Sequence, residues 1–254
     1  MPRLLVHFSC GAASAVAAKL TLAENSKADI AIVNAFLEEE HEDNHRFRSE
    51  CERWFDHPIT VLTSEKDNGS TIAVWTRKRY IKGPGSAPCA VELKHKPLAA
   101  FSRSDDLHIL GYTAEEVDRL DALRISAPKM QIRAPLIDKN LTKADCLAMI
   151  ERAGIALPVM YLLGFNNNNC IGCPKGGLGY WNRIKAVFPE RFYQIAALQE
   201  SIGPGAYFLR NNQTGDRLAL KDLPADAGNH REPDISCSFF CQMAEEDIAI
   251  GGAC

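Results

Sequence analysis

Nine cysteines are the residues of this chain best suited to chemistry: Cys10, Cys51, Cys89, Cys146, Cys170, Cys173, Cys237, Cys241 and Cys254. The first residues, Met-Pro-Arg-Leu-Leu-Val-His-Phe, stop being apolar almost at once and do not read as a signal peptide. Disulfides are therefore not expected, and the count is odd. Four cysteines fall in two tight pairs, Cys170-x-x-Cys173 and Cys237-x-x-x-Cys241. In a reducing compartment such pairs mean metal or redox chemistry more often than packing. Cys51 and Cys146 sit inside helical patterns and read as small core residues. Thiolate-only ligation suits an iron–sulfur cluster, with tetrahedral zinc as the alternative.

A second feature is the run Ser9-Cys10-Gly11-Ala12-Ala13-Ser14. It falls where a first strand turns into a first helix, so backbone N–H groups and the positive end of the helix converge on one point. Small residues let a phosphate approach the backbone, and Ser9 and Ser14 add hydroxyl donors. The run lacks the Gly-Lys-Ser/Thr ending of a Walker loop and is not G-x-G-x-x-G. A tight strand–helix turn without a ligand is the alternative reading.

The elements that must position these residues follow from hydrophobic spacing. Strands are expected at residues 4–8, Ile30–Ala35, Ile59–Leu62 and residues 107–111, with helices between them, the pattern of a doubly wound parallel sheet. Helices are expected at residues 12–22, 71–80, 89–101 and 114–123, and around Phe47, Cys51, Trp54 and Phe55. Thr142 reads as an N-cap with Asp145 at N3, and Gly154 as a helix stop. From Asn166 onward, four asparagines, glycine pairs and cysteine pairs point to an irregular region held by ligation. The division expected is a nucleotide-binding domain at 1–165 and a metal-cluster-bearing region at 166–254 packed on the same core.

The 254 residues, 46% hydrophobic and 24% charged, suit one α/β domain with a small appended subdomain, and exclude disorder, collagen and coiled coil. A net charge of −3 provides no overall basic field for nucleic acid. The apolar runs are too short to span a bilayer, so a cytoplasmic location is expected.

Against these residues a family emerges. The loop at 9–14 resembles the PP-loop of adenine-nucleotide α-hydrolases, usually Ser-Gly-Gly-x-Asp-Ser, and more closely its variant in phosphoadenylyl-sulfate (PAPS) reductases, roughly Ser-Phe-Gly-Ala-Glu-Asp. Cys89-Ala90-Val91-Glu92-Leu93-Lys94-His95-Lys96-Pro97-Leu98 resembles the Cys-Cys-x-x-Arg-Lys-Val-x-Pro-Leu segment of the cluster-bearing reductases, and Cys170-Ile171-Gly172-Cys173 their later Cys-x-x-Cys. Gly111-Tyr112-Thr113-Ala114-Glu115-Glu116-Val117-Asp118-Arg119 resembles the strand-end Gly-x-Arg-x-x-Glu-Ser-x-x-Arg motif. Arg119 falls one residue short of its counterpart, and Thr113 replaces an arginine. The resemblance covers about residues 4–190. Ala90 stands where the family has a second cysteine, and the loop lacks the family's acid.

The resemblance implies a PP-loop fold in which Ser9, Cys10, Gly11, Ala12, Ser14 and Gly111 bind an adenine nucleotide. It implies a [4Fe–4S] cluster on Cys89, Cys170 and Cys173, with Cys241 or Cys237 as a fourth ligand or an open fourth iron. Lys94, Glu116 and Arg119 would serve the reaction, and Cys254, at the end of a Gly-Gly-Ala tail, is a candidate attacking thiol. An i,i+3 ion pair on a helix surface is the alternative for Glu116 and Arg119, and a solvated helix lysine for Lys94. The implied activity is sulfonucleotide reduction, with a thioredoxin-like reductant. One alternative is an ATP-dependent sulfurtransferase thiolating tRNA or DNA; another is a zinc-stabilised nucleotide-binding module. No membrane partner is expected, and homo-oligomer formation is left open.

Two charged runs complete the inventory. Arg77-Lys78-Arg79, with Lys82 beyond, lies beside Trp75 and Tyr80 and reads as a solvated helix face or a small nucleic-acid patch. The acidic run at residues 38–43 reads as a solvated loop rather than a metal site.

Overall fold

The computed structural model describes residues 2–83 and 87–228. In chain order the strands and α-helices are β1 (Leu4–His7), α1 (Ala12–Glu24), β2 (Ile30–Ala35), α2 (Asn44–Phe55), β3 (Ile59–Leu62), α3 (Thr71–Lys78), α4 (Pro88–Ala90), α5 (Lys96–Phe101), β4 (Leu107–Ile109), α6 (Val117–Ser126), β5 (Gln131–Arg133), α7 (Pro135–Asp138), α8 (Lys143–Arg152), α9 (Val159–Leu162), α10 (Leu178–Val187), α11 (Pro189–Ile202), β6 (Leu209–Arg210) and β7 (Arg217–Leu218). A π-helical turn, Val91–His95, joins α4 to α5. The chain divides into two compact units, each assembled from separated segments. Unit 1 takes the chain up to Phe36, then His41–Thr63 and Pro97–Asn168; unit 2 takes Leu37–Glu40, Ser64–Lys96 and the chain from Asn169 onward.

Unit 1 holds a five-stranded, all-parallel sheet in the order β3-β2-β1-β4-β5. Its central strand reads Leu-Leu-Val-His because both faces of β1 are covered, and Leu4, Leu5 and Val6 are all buried. Leu5 lies opposite Ala31 on one side and His108 on the other. Helix α1 is rich in alanine, and Ala12, Ala15, Val16, Ala17 and Ala18 are buried in the core. Phe47, Cys51 and Phe55 form the buried stripe of α2 at i, i+4 and i+8. The sheet and its helices make a doubly wound α/β fold. Strand β5, unexpected from the sequence, carries one apolar residue in Gln-Ile-Arg and sits at the sheet edge, where no alternation is required.

Thr142 and Asp145 form a reciprocal capping box at the start of α8, as their spacing predicts. A buried Arg3–Asp106 pair, bonded at 2.9 and 2.6 Å, ties the entry of β4 to that of β1.

Unit 2 contains α3, α4, α10, α11 and the small antiparallel pair β6–β7. The expectation of an irregular region beyond Asn166 is corrected here. Helices α10 and α11 bury Trp181, Ile184, Phe192, Ile195 and Ala196, whose packing stabilises helical order. Among the described residues no helix is long and apolar enough to cross a membrane.

Candidate functional site

In unit 1 the chain runs from β1 outward through β2 to β3, and β4 and β5 then lie on the other side of β1. The carboxyl ends of β1 and β4 are therefore a topological switch point, where open α/β sheets bind ligands. The loop at 9–14 follows β1 and Gly111 follows β4. A Cβ on Gly111 would lie 2.7 Å from the Ser14 Cα and 2.8 Å from its N, so only glycine lets the two chain segments approach this closely.

The loop is held together by its own polar groups. Ser14 Oγ donates to the Gly11 carbonyl at 2.9 Å and accepts from the Ser9 N–H at 3.1 Å, with Ser9 Oγ 3.2 Å away. The two hydroxyls expected to face a phosphate thus brace the loop. The Ala12 N–H at the start of α1 donates to the Tyr161 hydroxyl at 3.3 Å. Cys10 adopts φ of 57°, a left-handed conformation uncommon for a residue with a side chain. Its thiol is buried in the core beside the Asn34 amide nitrogen at 3.6 Å, so Cys10 offers its backbone and not its sulfur. Asn168 Nδ2 donates to the Cys10 carbonyl at 2.7 Å and to Asn44 Oδ1 at 2.6 Å, while its Oδ1 is buried without a partner among the described residues. Tyr161 and Asn168 carried no sequence signal, because their contacts to the loop span more than a hundred residues.

Of the strand-end motif, Glu116 accepts from the Thr113 N–H at 3.0 Å and completes a capping box. Arg119 donates to Glu116 and stacks over the Tyr112 ring at 4.4 Å. The i,i+3 ion pair is the arrangement found.

Unit 2 brings Cys89, Cys170 and Cys173 to the lining of one small pocket, together with Lys94, Lys175 and Trp75. Cys89 comes from α4 and Lys94 from the π-helical turn behind it; such turns recur at functional sites because they re-aim a side chain. Lys94 Nζ stands 3.7 Å from Glu40 Oε1. The neighbouring His95 imidazole is pushed down to about 4, first by burial and then by the charges of Lys175 and Lys94. The three cysteines share this lining, yet among the described residues no group of three or more His, Cys, Asp or Glu side chains stands so as to hold a metal ion. Cys237, Cys241 and Cys254 lie outside the described residues. Cys51 and Cys146 are buried, and burial first pushes each thiol up to about 12, which makes them packing residues.

Residues 77–79, Glu38 and Glu42 are exposed, yet much of both runs is tied to partners. Arg77 makes two bonds to Asp67 at 2.9 and 2.6 Å, Lys78 pairs with Glu92 at 3.1 Å, and Arg79 donates to the Ser201 carbonyl at 3.2 Å. Carboxylates within the unit thus answer much of the basic patch. Glu39 is buried and takes the Ser70 hydroxyl at 2.8 Å and the Thr71 N–H at 2.7 Å, capping α3. Asp43 is held by Arg46 and by the Val159 N–H.

Fold and sites together define an α/β protein whose doubly wound sheet presents a small-residue loop at its switch point, and whose second unit carries a cysteine-lined pocket. No family model matches the chain, and neither does any curated protein or solved structure.

Proposed function

We propose that this chain is a PP-loop enzyme carrying out sulfur chemistry with an adenine nucleotide, nearest to a phosphoadenylyl- or adenylyl-sulfate reductase. The observation that carries the reading is the loop at 9–14, which opens a 13-residue helix at the switch point of a parallel sheet, with Gly111 held against Ser14. N–H groups at a helix start attract anions whatever their source, and small residues admit the phosphate. The nucleotide phosphates bind this backbone. The cysteines supply the sulfur chemistry. A thiolate attacks the sulfonate sulfur, the bond from that sulfur to the phosphate oxygen breaks, and the nucleotide leaves. A dithiol reductant of the thioredoxin type then attacks the cysteine sulfur of the protein-bound thiosulfonate, releasing sulfite and ending as a disulfide. Cys254 is the proposed attacking thiol, and Lys94 offsets negative charge in the cysteine pocket. No step of this reading passes through a metal.

The alternative keeps the nucleotide and transfers sulfur to tRNA or DNA. Ala90, standing where the reductases have a second cysteine, favours it; the carboxylate partners of the basic run count against it.

Calorimetric titration with phosphoadenylyl sulfate, adenylyl sulfate and ATP tests the reading. Binding is expected for at least one, and Gly11→Val should weaken it by about tenfold or more, since the added side chain crowds the Tyr161 hydroxyl at the helix start. A folded Gly11→Val protein with unchanged affinity removes the phosphates from this loop. Sulfite release, or thiolated nucleic acid in its place, then separates the two activities.

A further inference from the structure

Within unit 2 the Cys-x-x-Cys segment forms a hydrogen-bonded turn. Cys170 and Cys173 are the first and fourth residues of a turn closed by the Cys173 N–H, which donates to the Cys170 carbonyl at 3.2 Å. Gly172, the third residue, has φ of 87°, the left-handed conformation that a type II turn requires there. A β-turn keeps its end Cα atoms within about 7 Å, and disulfides span Cα separations of about 4.4–6.8 Å. The turn is wrapped on a single hydroxyl. Tyr180 Oη accepts from the N–H groups of Gly172 and Cys173, each at 3.0 Å, and donates to the Cys170 carbonyl at 2.9 Å. Gly176 leaves room for that ring, since a Cβ there would lie 2.0 Å from it. Cys89 lines the same pocket from a different segment, and the three thiols are not grouped as a ligand set.

We propose that Cys170 and Cys173 form a reversible disulfide, and that Tyr180 is the positioning residue that holds their turn in readiness for it. The inference goes beyond the nucleotide reading and does not depend on it. The oxidant is a low-molecular-weight disulfide such as oxidised glutathione. The Cys170 thiolate attacks one glutathione sulfur, forming a mixed disulfide and releasing one glutathione thiolate. The Cys173 thiolate then attacks the Cys170 sulfur and releases the second. Two electrons pass from the cysteine pair to oxidised glutathione, which leaves as two thiols, and the two cysteine protons go to solvent and to the departing thiolates. Lys94 and Lys175 contribute to the lining of the same pocket.

Tyr180 governs the balance because it holds the two N–H groups of the turn. Thiolates accept amide hydrogen bonds far better than disulfide sulfurs do, so amides committed to Tyr180 do not stabilise the reduced pair. Tyr180→Phe frees the Gly172 N–H to turn to a thiolate, while the Cys173 N–H keeps the Cys170 carbonyl. The experiment equilibrates the full-length protein in glutathione redox buffers, quenches by alkylation, and reads each cysteine by mass spectrometry, with iron and zinc measured on the same sample. In the wild-type protein Cys170 and Cys173 should convert together, while Cys10, Cys51 and Cys146 stay reduced and Cys89→Ser leaves the conversion unchanged. Tyr180→Phe should shift the equilibrium roughly tenfold toward the dithiol, equivalent to about 30 mV. Gly176→Ala, which crowds the same ring, should shift it in the same direction. The disulfide is overturned if the pair stays reduced in excess oxidised glutathione, with or without bound metal, or if Cys89 is joined instead. The role of Tyr180 is overturned if either variant, folded by circular dichroism, leaves the equilibrium in place.

Discussion

In unit 1 the candidate site is made of backbone: a loop of six consecutive residues whose serine hydroxyls bond one another and whose cysteine points into the core. In unit 2 the candidate site is made of side chains, those of three cysteines and two lysines carried by segments far apart in the chain. The first needs only a strand, small residues and a helix start, so its chemistry is generic to anions. The second has no generic element, and its selectivity rests on which side chains the fold gathers. The difference teaches where each is fragile. The backbone site fails when two chain segments are forced apart; the side-chain pocket fails when the helix start that supports it loses its cap.

The sharpest way to break the backbone site is Gly111→Ala. Its Cβ would meet the Ser14 backbone, which has no side chain to move aside, so an overpacking cost of about 3 kcal/mol is expected. A thermal melt should show it, with nucleotide affinity lost in parallel; a wild-type melting temperature would show that the β4 and β1 ends are not in contact. On the other side of the comparison, Glu39→Ala removes the buried acceptor for Ser70 and Thr71 at the start of α3, the helix that supplies Trp75 to the cysteine pocket. A loss of about 2 kcal/mol is expected. It should be accompanied by a change in tryptophan fluorescence and faster alkylation of Cys89, and unaltered alkylation would uncouple the cap from the pocket.

The smallest effect is a pH dependence that belongs to unit 1. His7 on β1 and His108 on β4 meet with ring nitrogens 3.0 Å apart. Burial, and then His108, push the His7 imidazole down to about 3, and burial also lowers His108. An unfolded histidine titrates near pH 6.5. Between those values the unfolded chain binds the additional proton, so the contribution is complete above about pH 6.5 and is lost as the pH falls toward 3. The slope for His7 is at most about 1.4 kcal/mol per pH unit. Denaturant midpoints at pH 7, 6 and 5 should fall in that order, and His7→Phe should flatten the trend; an equal slope in the variant would assign it to other groups.

Much of the fold was legible because its signals are local. The runs Ile30–Ala35 and Ile59–Leu62 became β2 and β3 with the expected bounds, and Thr142 capped α8 through Asp145 three residues on. Helical order at α10 and α11 was missed because the asparagines, glycines and cysteines before them drew attention from the buried positions of Trp181, Ile184, Phe192 and Ile195. The basic run at 77–79 was legible as charge but not as ion pairs, since its carboxylates come from Asp67 and Glu92.

What the amino-acid sequence determined by itself was the parallel sheet's inner strands, the small-residue loop at a helix start and the identity of the thiols. Those features depend on side-chain spacing and hydrogen bonds that close within a few residues. What only the tertiary structure decided was the approach of Gly111 to Ser14, the sharing of one pocket lining by Cys89, Cys170 and Cys173, the wrapping of the Cys-x-x-Cys turn on Tyr180, and the partners of the charged runs. Most of these bring together groups separated by tens of residues or more, where periodicity carries no information. Tyr180 is closer in sequence to its turn, yet it meets those amides only because the packing around Gly176 sets its ring there.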